Sequence, residues 1–88
     1  MRIKKDFTIQ QVGNSYIAVA VGETSRTFHG MVRLNETGAF IWKKMSESDV
    51  TEEELVDALL AEYEVDRETA ARDVSRLVEE FCENGILA

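Results

Sequence analysis

The sequence is short of the residues that build cross-linked or metal-stabilised folds. Its 88 residues include one cysteine, Cys82, one histidine, His29, and no proline. A single cysteine excludes an internal disulfide framework and is typical of a reducing compartment, so we expect a cytoplasmic protein. One histidine and one cysteine cannot build a zinc site by themselves, so we expect no bound metal. Apolar runs are only a few residues long, which predicts neither a membrane-spanning helix nor a signal peptide.

Motifs of catalysis are also missing. The sequence contains no glycine-rich phosphate loop, Walker lysine, Gly-x-Ser-x-Gly elbow or Cys-x-x-Cys pair. His29 has no partner for nucleophilic or metal chemistry and is predicted to lie on the surface of a strand. Cys82 lies on or beside the apolar stripe of the last predicted helix, which indicates a buried, unreactive thiol. We therefore expect a protein without enzymatic activity and without a cofactor.

Charge is distributed unevenly along the chain. The net charge is −7, with five basic and two acidic residues in 1–33 but five basic and 15 acidic residues in 34–88. This acidic excess argues against nucleic-acid binding, because phosphate neutralisation needs clustered lysine and arginine. The length indicates one small domain, spanning residues 1–88.

The first part of the chain has the pattern of a β-sheet. Phe7 to Val12 alternates apolar and polar residues, and Gly13-Asn14 is typical of a two-residue hairpin turn. A second strand is predicted from Ser15 to Val21 and a third from Thr27 to Leu34. We expect a three-stranded antiparallel meander in residues 1–33, whose apolar face must pack against another layer. In the second strand the apolar residues of one face are Ile17, Val19 and Val21.

Residues 34–88 have the pattern of three helices. Asn35 can cap a helix that runs to about Met45, Thr51 and Glu54 form a capping box, and Asp66 can cap the third helix. Gly85 stands where a left-handed residue would end that helix.

The predicted fold is therefore α+β, with a three-stranded meander followed by three helices that supply the second layer. The helix order is also that of a winged helix-turn-helix domain. Helical spacing places Trp42 and Phe81 among the apolar residues, and we expect both in the core.

A string that begins at Leu34 resembles a known family signature. Residues 34–42 read LNETGAFIW, which is similar to the L-N-x-x-G-x-x-I-W signature of the PqqD family, named for pyrroloquinoline quinone biosynthesis. The similarity continues through Thr51, Leu55, Leu60 and Tyr63 and ends in Gly85-Ile86-Leu87, so it covers about residues 34–88. The specificity lies in the whole ordered string, because its individual residues are common ones.

The resemblance implies a function that composition cannot. PqqD-like domains are peptide-recognition elements, which bind the leader of a ribosomally made precursor and present it to a modifying enzyme, often a radical S-adenosylmethionine enzyme. The leader lies as an added strand on the third strand, beside the third helix. Applied to this sequence, the resemblance implies contacts from the third strand and third helix: Thr27, Phe28, His29, Met31, Arg33, Arg67, Ala70, Ala71, Arg72, Val74, Arg76 and Val78.

Other interpretations of these residues remain open. Ala70, Val74 and Leu77 can equally be core, and the arginines can form surface ion pairs, Glu68–Arg72 and Arg76–Glu80. A DNA-binding winged helix is an alternative function, as is a protein-interaction subunit that binds no leader. An exposed sheet edge can also pair with a second copy, so a homodimer is a further alternative.

Overall fold

The computed structural model describes residues 1–4, 6–22 and 31–88. Three antiparallel strands in one sheet precede three helices, so the predicted α+β fold is confirmed. The part of the predicted third strand before Met31 lies outside the described residues, and the winged-helix likeness stays a prediction. The elements are β1 Phe7–Val12, β2 Ser15–Ala20, β3 Met31–Leu34, α1 Glu36–Glu47, α2 Glu52–Glu62 and α3 Arg67–Glu83.

A two-residue turn joins β1 and β2. Val12 pairs with Ser15 across Gly13-Asn14, as predicted. Of the two turn residues, Gly13 has a positive φ, 62°, and Asn14 does not, which places glycine at the first central position of a type II′ turn. β2 then pairs with β3, so the described sheet has the order β1-β2-β3, with β1 and β3 at its edges.

The face of β2 that packs on the helices is the opposite of the expected one. Ile17, Val19 and Val21 do share a face, but Val19 is 36% and Val21 42% exposed. The helices instead cover Ala18, which is fully buried, and Ala20. Alanine lets α1 lie close to the sheet, and the larger aliphatic side chains are left on the open face.

The three predicted helix starts are confirmed. The Asn35 side chain accepts a hydrogen bond from Gly38 N at 2.8 Å, and that of Asp66 accepts one from Thr69 N at 2.7 Å. Thr51 and Glu54 form a complete capping box at the start of α2. Each interaction satisfies a main-chain donor that the first turn of a helix leaves without an intrahelical partner.

The end of α3 is a complete Schellman motif. Gly85 has the predicted left-handed φ, 70°. Its N–H donates to Cys82 O at 3.1 Å, and Ile86 N–H donates to Phe81 O at 2.9 Å. Ile86 is consequently turned back into the core, where it is fully buried.

Three aromatic rings form the centre of the core. Trp42 is 2% exposed and stands edge-to-face with Phe7 at 5.5 Å and with Phe81 at 5.2 Å between ring centroids. Phe81 is 1% exposed, so the prediction that both residues are core is confirmed. These contacts join β1, α1 and α3, and thereby fix α3 beside the sheet.

Candidate functional site

The edge strand β3 directs part of its main chain away from the sheet. Val21 N–H donates to Asp6 O at 2.8 Å, so the odd-numbered residues of β2 bond towards β1. Its even-numbered residues, which alternate in direction, bond towards β3. Ala18 pairs with Val32 and Tyr16 with Leu34. The N–H and C=O groups of Met31 and Arg33 therefore point out of the sheet.

Neither proline nor lysine guards β3 against a further strand. The segment contains no proline and no lysine, residues that commonly prevent strand addition. Leu34 is 3% exposed and Val32 is half-buried on the helical side, while Met31 is 62% exposed on the other side. The edge thus has a firmly packed inner face and outward-directed main-chain groups.

A cleft of about 420 Å³ lies beside this edge, where β3, the start of α1 and α3 meet. Its wall on α3 consists of Asp73, Arg76, Leu77 and Glu80, whose spacing places them on one helix face. Half-buried Leu77 supplies the apolar part of the wall. Residues from the other elements are Asn14, Ser15, Arg33, Leu34, Asn35 and Thr37.

The charged groups of the cleft are of both signs. Arg76 Nη2 lies 3.9 Å from Asp73 Oδ1, and both side chains are more than a third exposed. Such a long, exposed ion pair contributes little stability, so Arg76 can exchange Asp73 for an acidic group of a ligand at small cost. Arg33 and Glu80 complete the charged lining. Arg76 lies nearest to Asp73 and not to Glu80, the partner that the sequence had left open.

Most predicted residues of α3 lie away from the cleft. Ala70 and Val74 are 1% and 0% exposed, so the core interpretation that the sequence left open is the one observed. Ala71 is exposed but lies on a different helix face from Asp73 and Leu77, so the expected gap of small residues does not form. The rotation of α3 about its axis, set by its packing against α2 and against Trp42 of α1, causes both differences.

The remaining predicted residues have other partners or lie outside the described residues. Arg67 Nη2 binds Asp57 Oδ1 of α2 at 2.8 Å, and Arg72 lies 3.8 Å from Glu68, the surface pair that the sequence left open. Val78 is half-buried against the core. The expected contacts of Thr27, Phe28 and His29 concern residues outside the described part. Met31 and Arg33 are at the β3 edge, and Arg33 and Arg76 line the cleft.

Cys82 corrects one expectation. It is exposed, not buried, because it follows Phe81 by about a quarter-turn and so leaves the buried face of α3. In residues 1–4, 6–22 and 31–88, no group of three His, Cys, Asp or Glu side chains is placed to hold a metal ion. No helix within those ranges is both long and apolar enough to cross a bilayer.

Fold and site together define a small α+β domain with an open sheet edge beside a helix-walled cleft. The family model described as coenzyme PQQ synthesis protein D (PqqD) matches residues 18–87, and the chain belongs to this family. The resemblance seen in the sequence is thereby confirmed. A search of curated proteins gives no match.

Two solved structures are similar over nearly the whole chain. One is TbiB1 in complex with the TbiA(beta) leader peptide, with a TM-score of 0.74 and 26% identity; 99% of this chain and 94% of that chain are covered. The other is lasso peptide synthetase B1 complexed with the leader peptide, with a TM-score of 0.72 and 25% identity. There the match covers 99% of this chain and 95% of the other.

Proposed function

We propose that this chain is a non-catalytic recognition protein, which binds the leader of a ribosomally made precursor peptide and presents it to a modifying enzyme. The observation that carries the proposal is the likeness, over 99% of the chain, to two proteins whose structures hold leader peptides. The open β3 edge and its cleft provide a physical basis for the same role. Strand addition gives affinity through main-chain hydrogen bonds, and neighbouring pockets give selectivity through side chains.

The leader would add to β3 as a fourth strand of the described sheet. Its main chain would bond to the N–H and C=O groups of Met31 and Arg33, which point out of the sheet. Its alternate side chains would face Leu77 and Leu34 in the cleft, with Arg76 available to an acidic residue. The contacts implied for Thr27, Phe28 and His29 stay predictions. They would extend the leader-binding edge towards the start of the predicted third strand.

The class of modifying enzyme is a separate part of the proposal. A radical S-adenosylmethionine enzyme stays a prediction from the family resemblance, as does a cytoplasmic location. The homodimer also stays a prediction. The alternative of a DNA-binding regulator has no support from the charge of α3, whose surface arginines stand among a larger number of acids.

The proposal is tested by removing one outward-directed donor of β3. Met31→Pro deletes an N–H that the β2–β3 ladder does not use, and its ring obstructs an incoming strand. One hydrogen bond contributes about 0.5–1.5 kcal/mol, so we expect leader affinity to fall about two- to twelve-fold, and further where the ring displaces the leader. The ligand is the leader of the precursor encoded beside this chain, and calorimetry measures its affinity.

A matched variant separates the main chain from the side chain. Met31→Ala keeps the N–H group and removes only an exposed side chain, so leader affinity should stay close to that of the parent. Amide NMR spectra verify that both variants are folded. If proline and alanine variants bind the leader as the parent does, while leader-induced shifts lie outside β3 and α3, strand addition at this edge is wrong.

A further inference from the structure

Among the described strands, the opposite edge of the sheet, β1, is also without a further neighbour. Even-numbered residues of β1 bond to β2, as the Asp6–Val21 hydrogen bond indicates. The main-chain groups of Ile9 and Gln11 therefore point away from β2. β1 has the sequence FTIQQV, with no charge and no proline to oppose a further strand.

A second groove, which we call the β1 groove, runs beside this edge. Its volume is about 510 Å³. Ile9 lies opposite Ala18 and so faces the helical layer, yet it remains 38% exposed. α1 packs mainly on β2 and β3 and reaches β1 through the contact between Trp42 and Phe7. An inward-facing aliphatic residue that stays more than a third exposed indicates a place for apolar side chains from elsewhere. The lining residues are Ile9, Gln11, Tyr16, Glu36, Ala39, Phe40, Lys43 and Tyr63.

The far wall of the β1 groove is aromatic and its rim is charged. Phe40 and Tyr63 stand edge-to-face, 5.6 Å between ring centroids. Glu36 and Lys43 lie on α1 seven residues apart, which separates their backbones by about 10 Å along the helix. The groove therefore offers an apolar centre between one acidic and one basic group.

The spacing of these two charges is comparable to the repeat of an extended chain. In a strand, residues two apart share a face, and residues four apart are separated by about 13 Å. A strand beside β1 could place a large apolar side chain against Phe40 and Tyr63. The residues two positions before and after it would reach the rim, where a basic residue pairs with Glu36 and an acidic residue with Lys43.

We propose that the β1 groove docks an extended segment of the modifying enzyme. The segment adds to β1 and carries an apolar anchor, flanked at two residues on either side by a basic and an acidic residue. This inference rests on the proposed function: the leader occupies the β3 edge, so β1 is the edge left for the enzyme. One three-stranded sheet then connects enzyme and leader.

Binding to the groove is tested first with a model peptide, acetyl-Thr-Lys-Val-Phe-Val-Glu-Thr-amide. In an amide NMR titration we expect shifts at β1, at Phe40 and at Tyr63, with a dissociation constant of about 1 mM or tighter. A control peptide with alanine in place of phenylalanine should leave these signals unmoved. Equal binding of both peptides, shifts centred on β3 and α3, or no shifts at millimolar concentration would each overturn the proposal.

The identity of the occupant is tested with two variants of one strand. Ile9→Lys places a charge in the groove, whereas Thr8→Lys places the same charge on the open face of the sheet. We expect Ile9→Lys to weaken binding of the modifying enzyme encoded beside this chain at least about tenfold, because the apolar anchor would meet an unpaired charge. Thr8→Lys should bind the enzyme as the parent does.

Leader affinity distinguishes this proposal from the proposed function. Both variants should bind the leader unchanged, because the change lies at the other edge of the sheet. Enzyme binding that is equal in Ile9→Lys and Thr8→Lys overturns the docking proposal even where the leader binds β3. Self-association of the parent through β1 also overturns the docking proposal. Sedimentation would then show a parent that associates and an Ile9→Lys variant that does not. Loss of leader binding in the Met31→Pro variant is independent of these outcomes.

Discussion

Replacing Trp42 is the most direct test of how this small domain holds together. Trp42 is 2% exposed and contacts Phe7 and Phe81 through two edge-to-face ring pairs. Truncation of a buried tryptophan to alanine costs about 3–5 kcal/mol, since apolar contacts are lost and a cavity remains. Each aromatic pair contributes about 0.5–1.5 kcal/mol beyond the buried area, which favours the upper part of that range.

The loss is large relative to the total stability. At about 0.05–0.15 kcal/mol per residue, a chain of this length has a free energy of unfolding of about 4–13 kcal/mol. A domain of this size loses about 4–8 °C in melting temperature per kcal/mol, so we expect Trp42→Ala to melt at least about 12 °C below the parent. Circular dichroism is the suitable assay, because the variant no longer has its only tryptophan.

A conservative variant checks the physical reason. Trp42→Phe keeps one ring between Phe7 and Phe81, so it should lose less than half of what Trp42→Ala loses. If Trp42→Ala has the same melting temperature as the parent, the aromatic cluster does not stabilise the fold and the reasoning is refuted. If the phenylalanine variant is as unstable as the alanine variant, ring packing is not the cause.

Two further predictions concern the ends of α3. The hydrogen bonds from Thr69 hold the pKa of Asp66 below its ordinary value of 3.8, so the stability it contributes is present above about pH 4 and is lost as the pH falls further. Asp66→Asn can still cap the helix but does not titrate, and its melting temperature should fall less between neutral and acidic pH; an equal fall would contradict this. Gly85→Ala places a residue with a Cβ at a φ of 70°, and we expect it to lower the free energy of unfolding, measured in urea, by about 1 kcal/mol. An unchanged unfolding midpoint would show that the helix ending tolerates a Cβ.

Local features of the fold were predictable because their causes lie within a few residues. The Asn35 cap, the capping box of Thr51 and Glu54, and the left-handed Gly85 each depend on hydrogen bonds between near neighbours in the chain. The ordered string from Leu34 onward also led to the correct family. Burial of Trp42 and Phe81 followed from helical periodicity.

The candidate site was only partly predictable, because it depends on how whole elements are oriented. The sequence leads to β3 and α3, but not to the face of α3 that lines the cleft. Packing against α2 and α1 turns Ala70 and Val74 inwards and leaves Asp73 and Leu77 beside β3. The periodicity of apolar residues shows that α3 has an apolar face, but it does not say which element packs against that face.

The same limit applies to the sheet. Both faces of β2 contain apolar residues, so alternation alone could not decide whether Ala18 or Val19 would be buried. The close approach of α1 decided it, because the helix fits over alanine and not over the larger side chains. Pairing register likewise determined that the main-chain groups of Met31 and Arg33 at one edge, and of Ile9 and Gln11 at the other, point out of the sheet. The sequence determines the elements and their ends through short-range interactions, whereas only tertiary packing, in which distant residues compete for the same space, decides which surfaces remain open.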